Sequence, residues 1–124
     1  MLLLDTHVVL WWLGEPSKLG ADALSAIADP RQRTFLSAVV VWEIRVKASL
    51  GKLSLPDEFR QVLSAERFEE LPIRAAHAHR LADLPRHHRD PFDRMLVAQA
   101  LEEGLTIVTR DARVAEYGAR VLAA

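Results

Sequence analysis

Short, wholly apolar runs alternate along this chain with longer stretches in which apolar residues recur every three to four positions. Leu2-Leu3-Leu4 is apolar without polar alternation, the pattern of a strand buried on both faces of a parallel sheet. Thr6 to Leu13 predicts a helix that Gly14-Glu15-Pro16 ends, and Lys18 to Ala28 predicts a second, closed by Asp29-Pro30. Thr34 to Ser37 reads as a strand, followed by a helix from about Val39 to Leu50 with Gly51 as its C-cap. Pro56-Asp57 opens a helix running toward Arg67, Phe68 to Ile73 holds a third strand, and Ala75 to Leu84 is helical until Pro85 stops it. Asp90 suits an N-cap, and Pro91 falls at the first helical position, where its missing N–H costs nothing. That helix ends at Gly104. Thr106 to Thr109 is a β-branched strand, a short helix follows, and Arg120-Val121-Leu122 predicts an edge strand. This alternation predicts an α/β fold: an open parallel sheet with helices on both faces.

Composition narrows the picture. The 124 residues suit one domain spanning 1–124, and half of them are hydrophobic, which predicts a globule with a core. Repeats, linkers and low-complexity segments are absent. A net charge of -1 excludes a global basic field, so contact with nucleic acid must come from local patches or a bound cation. Without cysteine there are no disulfides and no thiolate metal sites. No apolar run is long enough to span a bilayer, and the expectation is a soluble cytoplasmic protein without membrane contact.

Four carboxylates carry the candidate chemistry. Asp5 follows the first strand, and Asp111 follows the Thr106–Thr109 strand; each also suits a helix N-cap. Glu43 shares a helix face with Val39, Trp42, Val46 and Leu50, which the pattern predicts to be the buried one. A buried carboxylate costs several kcal/mol on an order-of-magnitude view unless paired or metal-bound; a pair with Lys47, four residues on, is the plain alternative. Asp93 lies in the first turn of the long helix, in line with Leu96, Val97, Ala100 and Gly104, and could instead complement the helix dipole. Strand ends and helix starts of a parallel sheet share its carboxyl edge, where ligands bind. Four acids gathered there repel one another without counter-charge, and hard oxygen donors suit Mg2+ or Mn2+ rather than zinc. Two such ions about 4 Å apart can activate a water and stabilise the leaving oxygen of a phosphodiester.

Other polar residues have two readings each. Arg86, His87, His88 and Arg89 form either a solvated loop or a phosphate clamp beside the acids. Arg110 either meets phosphate or pairs with a carboxylate. His7 is read as structural, and His77 and His79, two apart on a helix, are not read as metal ligands. Trp11 and Trp12 cannot easily share one core face, so one of them points to a dimer interface.

The set of motifs resembles a known family. Leu3-Leu4-Asp5-Thr6-His7 with Trp11-Trp12-Leu13, Ser37-Ala38 through Trp42-Glu43-Ile44 and Lys47, and Gly51-Lys52-Leu53 are similar to segments of PIN-domain ribonucleases of the VapC type, the toxins of VapBC pairs. So are Asp90-Pro91-Phe92-Asp93-Arg94-Met95-Leu96 with Ala98-Gln99-Ala100, and Thr109-Arg110-Asp111, in the same order along the chain. The resemblance implies a three-layer α/β/α sandwich, Mg2+- or Mn2+-dependent RNA cleavage, neutralisation by a small VapB-like antitoxin, and a homodimer. By position it assigns Asp5, Glu43 and Asp93 to the three core acids and Asp111 to the fourth. It makes Thr109 a helper of the metal site, with Asp90, Arg94, Arg110, His88 and Arg89 as supporting or RNA-contact residues. The alternatives are a phosphoacceptor receiver domain, which needs paired acids after the first strand and a late lysine, and a non-catalytic binding module on the same fold. Asp5 stands alone after its strand and no lysine follows Lys52.

Overall fold

Leu2–Leu4 forms β1, the middle strand of a five-stranded, all-parallel sheet in a computed structural model that describes residues 1–86 and 90–124. The other strands are β2 (Thr34–Ser37), β3 (Glu69–Leu71), β4 (Thr106–Thr109) and β5 (Arg120–Ala123), in the order β3-β2-β1-β4-β5. Leu3 sits beside Phe35 on one side and Ile107 on the other. Leu3, Leu4, Ile107 and Val108 are wholly buried, which is why β1 is an uninterrupted apolar run and the centre of β4 is apolar. The crossovers carry helices α1 (Thr6–Gly14), α2 (Ala21–Ala28), α3 (Ala38–Ser49), α4 (Phe59–Ser64), α5 (Ala75–Arg80) and α6 (Pro91–Glu103), giving the α/β/α layering.

Three helices are shorter than the sequence pattern predicts. Pro16–Lys18 is a separate 3-10 turn, and Leu19 and Gly20 are extended, so α2 starts at Ala21 rather than Lys18. Leu19 is itself buried, and its apolar side chain extends the helical pattern upstream of the true start. The segment opened by Pro56-Asp57 becomes helical only at Phe59 and ends at Ser64. α5 tightens into a 3-10 turn over Leu81–Asp83 before Pro85. The helix after β4 is likewise a 3-10 segment, Ala112–Tyr117. By contrast α6 begins and ends as its capping residues dictate. Asp90 accepts from the backbone N–H of Phe92 at 2.9 Å, and Gly104 takes the left-handed conformation at φ 67° that closes the helix.

The buried face of α3 also differs from expectation. Val39, Val40, Glu43 and Ile44 face inward, whereas Trp42 and Leu50 are 57% and 63% exposed. Nearly every residue from Ala38 to Ile44 is apolar, so several faces of this helix could have been buried and periodicity alone does not choose. Packing chooses. Ser37, at the junction of β2 and α3, accepts from Val39 N–H at 3.1 Å and donates to Gln99 Oε1 of α6 at 2.5 Å; both side chains are fully buried. Gln99 in turn donates to the Pro72 carbonyl at 3.3 Å. This clamp sets the rotation of α3 and aims Glu43 inward. Ser37→Ala is expected to lower stability by about 2 kcal/mol, through loss of the cap and an orphaned Gln99 oxygen, as read from the urea midpoint.

Candidate active site

The acids meet in a cleft of about 440 Å³ at the carboxyl edge of the sheet, lined by Asp5, Glu43, Asp90, Asp93 and Asp111 together with Thr6, His7, Trp11, Lys47, Arg110 and Arg113. Asp5 leaves β1 and caps α1, accepting from Val8 N–H at 2.9 Å on Oδ1. Thr109 Oγ1 donates to its other oxygen, Oδ2. That contact follows from the β1–β4 register, which pairs Leu4 with Val108 and brings the next residue of each strand together. Burial is the largest influence on Asp5 and pushes its carboxyl above the usual carboxylate range. The bonds from Thr109 and Val8 oppose the rise, and the nearby charge of Glu43 adds to it.

Glu43 is 3% exposed, and both its oxygens have partners. Thr6 Oγ1 donates to Oε1 at 2.5 Å, and Lys47 Nζ bonds Oε2 at 2.5 Å. The intrahelical pair weighed as the plain alternative is therefore present, but its acid end is buried rather than solvated. Thr6, in the first turn of α1 beside Asp5, was not singled out by sequence reasoning, although its hydroxyl one residue after an acid was the available signal. Asp111 caps the Ala112–Tyr117 turn through Arg113 N–H at 2.9 Å and pairs with the Arg113 guanidinium at 3.1 Å. Its own N–H donates to Thr109 Oγ1 at 3.1 Å, so one hydroxyl ties Asp5 to Asp111. Arg113 is a second residue that the pattern did not flag.

The supporting residues divide. Asp90 and Thr109 belong to the cleft. Arg110 lines it too, but its guanidinium lies over the Trp11 ring at 4.3 Å from the centroid and donates to the Ala124 carbonyl at 2.9 Å. Arg94 points away, donating to the Pro85 carbonyl at 2.8 Å, and does not join the cluster. His88 and Arg89, with His87, lie outside the described residues. His7 is exposed with its ring tilted against Trp11. His77 is fully buried between Arg74 N–H, which donates to Nδ1 at 3.0 Å, and Glu103 at 2.8 Å, far from a ligand role. Trp11 and Trp12 each find an intrachain partner: Arg110 for the first, and Glu66, which accepts from Trp12 Nε1 at 3.2 Å, for the second. Both rings are half-buried. The exposed tryptophan is Trp42, whose ring meets Phe92 edge to face at 4.9 Å.

Among the described residues, no three acidic or histidine side chains already stand as a ready ligand set for one ion. The hydrogen bonds explain this: Asp5 is turned to Thr109 and Val8, Glu43 to Thr6 and Lys47, and Asp111 to Arg113. The donors themselves fit a hard divalent cation. They are carboxylate oxygens without thiolate, and burial that raises the Asp5 carboxyl marks a negative group short of positive charge.

A family model described as PIN domain matches residues 2–120. Ribonuclease VapC22 of Mycobacterium tuberculosis is 30% identical over 119 residues, covering 94% of this chain and 91% of that protein. Among solved structures, the VapBC2 complex of Rickettsia felis bound to a promoter DNA fragment superposes with a TM-score of 0.76 at 14% identity, over 98% of this chain and 97% of the other. DNA-bound VapBC of Salmonella typhimurium gives 0.75 at 20% identity, over 98% and 96%. These likenesses show the fold, and the sequence match carries the kinship: the chain belongs to the PIN-domain family, in its VapC ribonuclease branch.

Proposed function

We propose that this protein is a Mg2+- or Mn2+-dependent endoribonuclease, acting in the cytoplasm as the toxin of a type II toxin–antitoxin pair. The observation that carries the proposal is the gathering of Asp5, Glu43, Asp93 and Asp111 in one cleft at the sheet edge. Those four acids would hold the ion. When bound, it supplies an acidified water and offsets the negative charge that builds on a cleaved phosphodiester. The chain's own groups set the stage. Thr109 orients Asp5 and Asp111, and Thr6 orients Glu43. Arg110, Arg113 and His7 line the same cleft, and a phosphate backbone entering it would compete for the two guanidinium groups with their present partners.

The test is cleavage of single-stranded RNA in Mg2+ or Mn2+ with and without EDTA. Cleavage that requires the divalent ion supports the proposal, and equal cleavage in EDTA overturns the metal mechanism.

Two partners belong to the same proposal. A VapB-like antitoxin is supported by the VapBC complexes among the structural relatives. A second copy of the chain is supported by the exposed Trp42, with Leu50 two turns on and the partly buried Val46 between them. Light scattering is expected to give a dimer mass for the wild type and a monomer mass for Trp42→Glu; a wild-type monomer at micromolar concentration counts against the dimer.

A further inference from the structure

We propose that Lys47 is the resident counter-cation of the acidic cleft, holding Glu43 while no divalent ion is bound and let go when one enters. The inference rests on the reading that the acids bind such an ion.

An i,i+4 Glu–Lys pair on a helix surface contributes little, because water screens both charges. This pair is different because its two ends see different surroundings. The Glu43 side chain is 4% exposed, so its charge must be balanced where it stands. The Lys47 side chain is 35% exposed on a flexible stem, so its ammonium can return to water. Lys47 is thus the partner that can leave, and Glu43 the one that cannot.

Lys47 is also placed to serve more than Glu43. It lines the cleft, and the charges of Asp90 and Asp93 at the start of α6 attract it. One ammonium therefore bonds the acid of α3 directly and feels the charges of the α6 acids that line the same cleft. The guanidinium groups at the cleft are committed elsewhere: Arg113 to Asp111, and Arg110 to Trp11 and the Ala124 carbonyl.

A divalent ion that takes Glu43 Oε2 as a ligand meets the Lys47 ammonium already bonded there, and the two like charges compete for that oxygen. The present arrangement holds no ready ligand set among the described residues, and Glu43 Oε2 is taken by Lys47. Entry of the ion therefore exchanges one positive group for another. The empty cleft remains folded because Lys47 stands in, and the ion binds less tightly than it would to bare acids. Reciprocity follows: whatever factor Lys47 costs the ion, the ion costs the Glu43–Lys47 contact.

The experiment reads Lys47 directly in the wild-type protein. An N-hydroxysuccinimide acetate pulse acetylates amines that are not engaged, and mass spectrometry scores each lysine. Lys18 and Lys52, the chain's other lysines, are internal references. Calorimetry first fixes the Mn2+ concentration that saturates the protein, and ionic strength is held constant. Saturating Mn2+ is expected to raise Lys47 labelling several-fold relative to Lys18 and Lys52. In parallel, Lys47→Met is expected to bind Mn2+ about tenfold more tightly and to melt at a lower temperature in EDTA, because a like charge is removed from the ion's site and a counter-charge from the empty one. Unchanged Lys47 labelling at saturation, or weaker Mn2+ binding by Lys47→Met, overturns the proposal. Absence of any Mn2+ binding by the wild type removes the divalent reading itself, which calorimetry alone reveals. If Lys47→Met does not fold, the labelling of the wild type still decides.

Discussion

Asp93→Asn is expected to lower RNA cleavage in Mg2+ by at least about 100-fold while the fold stays intact. Loss of even an outer-sphere partner of a metal site costs about 10–100-fold, and loss of a charged ligand costs no less. Asp5→Asn should match it in activity and add a signature in stability. The buried Asp5 carboxyl titrates above its ordinary value of 3.8, so the native state holds its proton more tightly than the unfolded chain. Stability in EDTA therefore falls as pH rises from about that ordinary value through the native one, and stays reduced above it. Asn is uncharged and keeps an acceptor for Val8 N–H. The variant should melt with the wild type at low pH and above it at neutral pH. Thermal melts from pH 3 to 8 in EDTA check the difference, which cancels the opposite trends of surface acids such as Asp29 and Glu69, held low by arginines. Wild-type cleavage by Asp93→Asn, or a melting difference that ignores pH, would sink the respective assignment.

Thr109→Val should reduce cleavage by about 10–100-fold, since the hydroxyl positions both Asp5 and Asp111. Val has nearly the same shape but neither donates to Asp5 nor accepts from the Asp111 N–H. Two polar groups are left short of a partner, at a cost of about 1–3 kcal/mol each when buried. Thr109→Ser, which keeps the hydroxyl, should recover most of the activity. If serine and valine behave alike, the hydroxyl is not what matters. Steady-state kinetics at saturating Mn2+, with urea unfolding alongside, separates the positional loss from the loss of stability.

Much of this site is legible in the sequence because a parallel sheet has one edge at which strands end and the following helices begin. Asp5 and Asp111 declare themselves by standing just after strands, and Asp93 by its place behind the Asp90-Pro91 cap. Glu43 is legible as a buried acid, but not the face that buries it. The apolar run at the start of α3 leaves its rotation open, and the choice falls to the Ser37–Gln99 clamp, a contact 62 residues long in sequence. The partners of the acids are illegible for the same reason. Thr6 on Glu43 and Thr109 on Asp5 depend on register between segments far apart, which local periodicity does not encode. The starts of α2 and α4 were misplaced because Leu19 and Pro56 carry helical signals, while backbone that packs as an extended or turn segment overrides them.

The central position of β1 has a consequence for the order in which the protein becomes whole. A ribosome delivers β1 first and β2 about thirty residues later, yet the other edge of β1 stays open until Thr106–Thr109 emerges. Asp5 and its Thr109 partner are 104 residues apart, so the acidic cleft assembles only after Thr109 has been made. Hydrogen exchange on chains stalled before Thr106 should find Leu2–Leu4 far less protected than in the folded protein, because β1 then lacks its β4 neighbour.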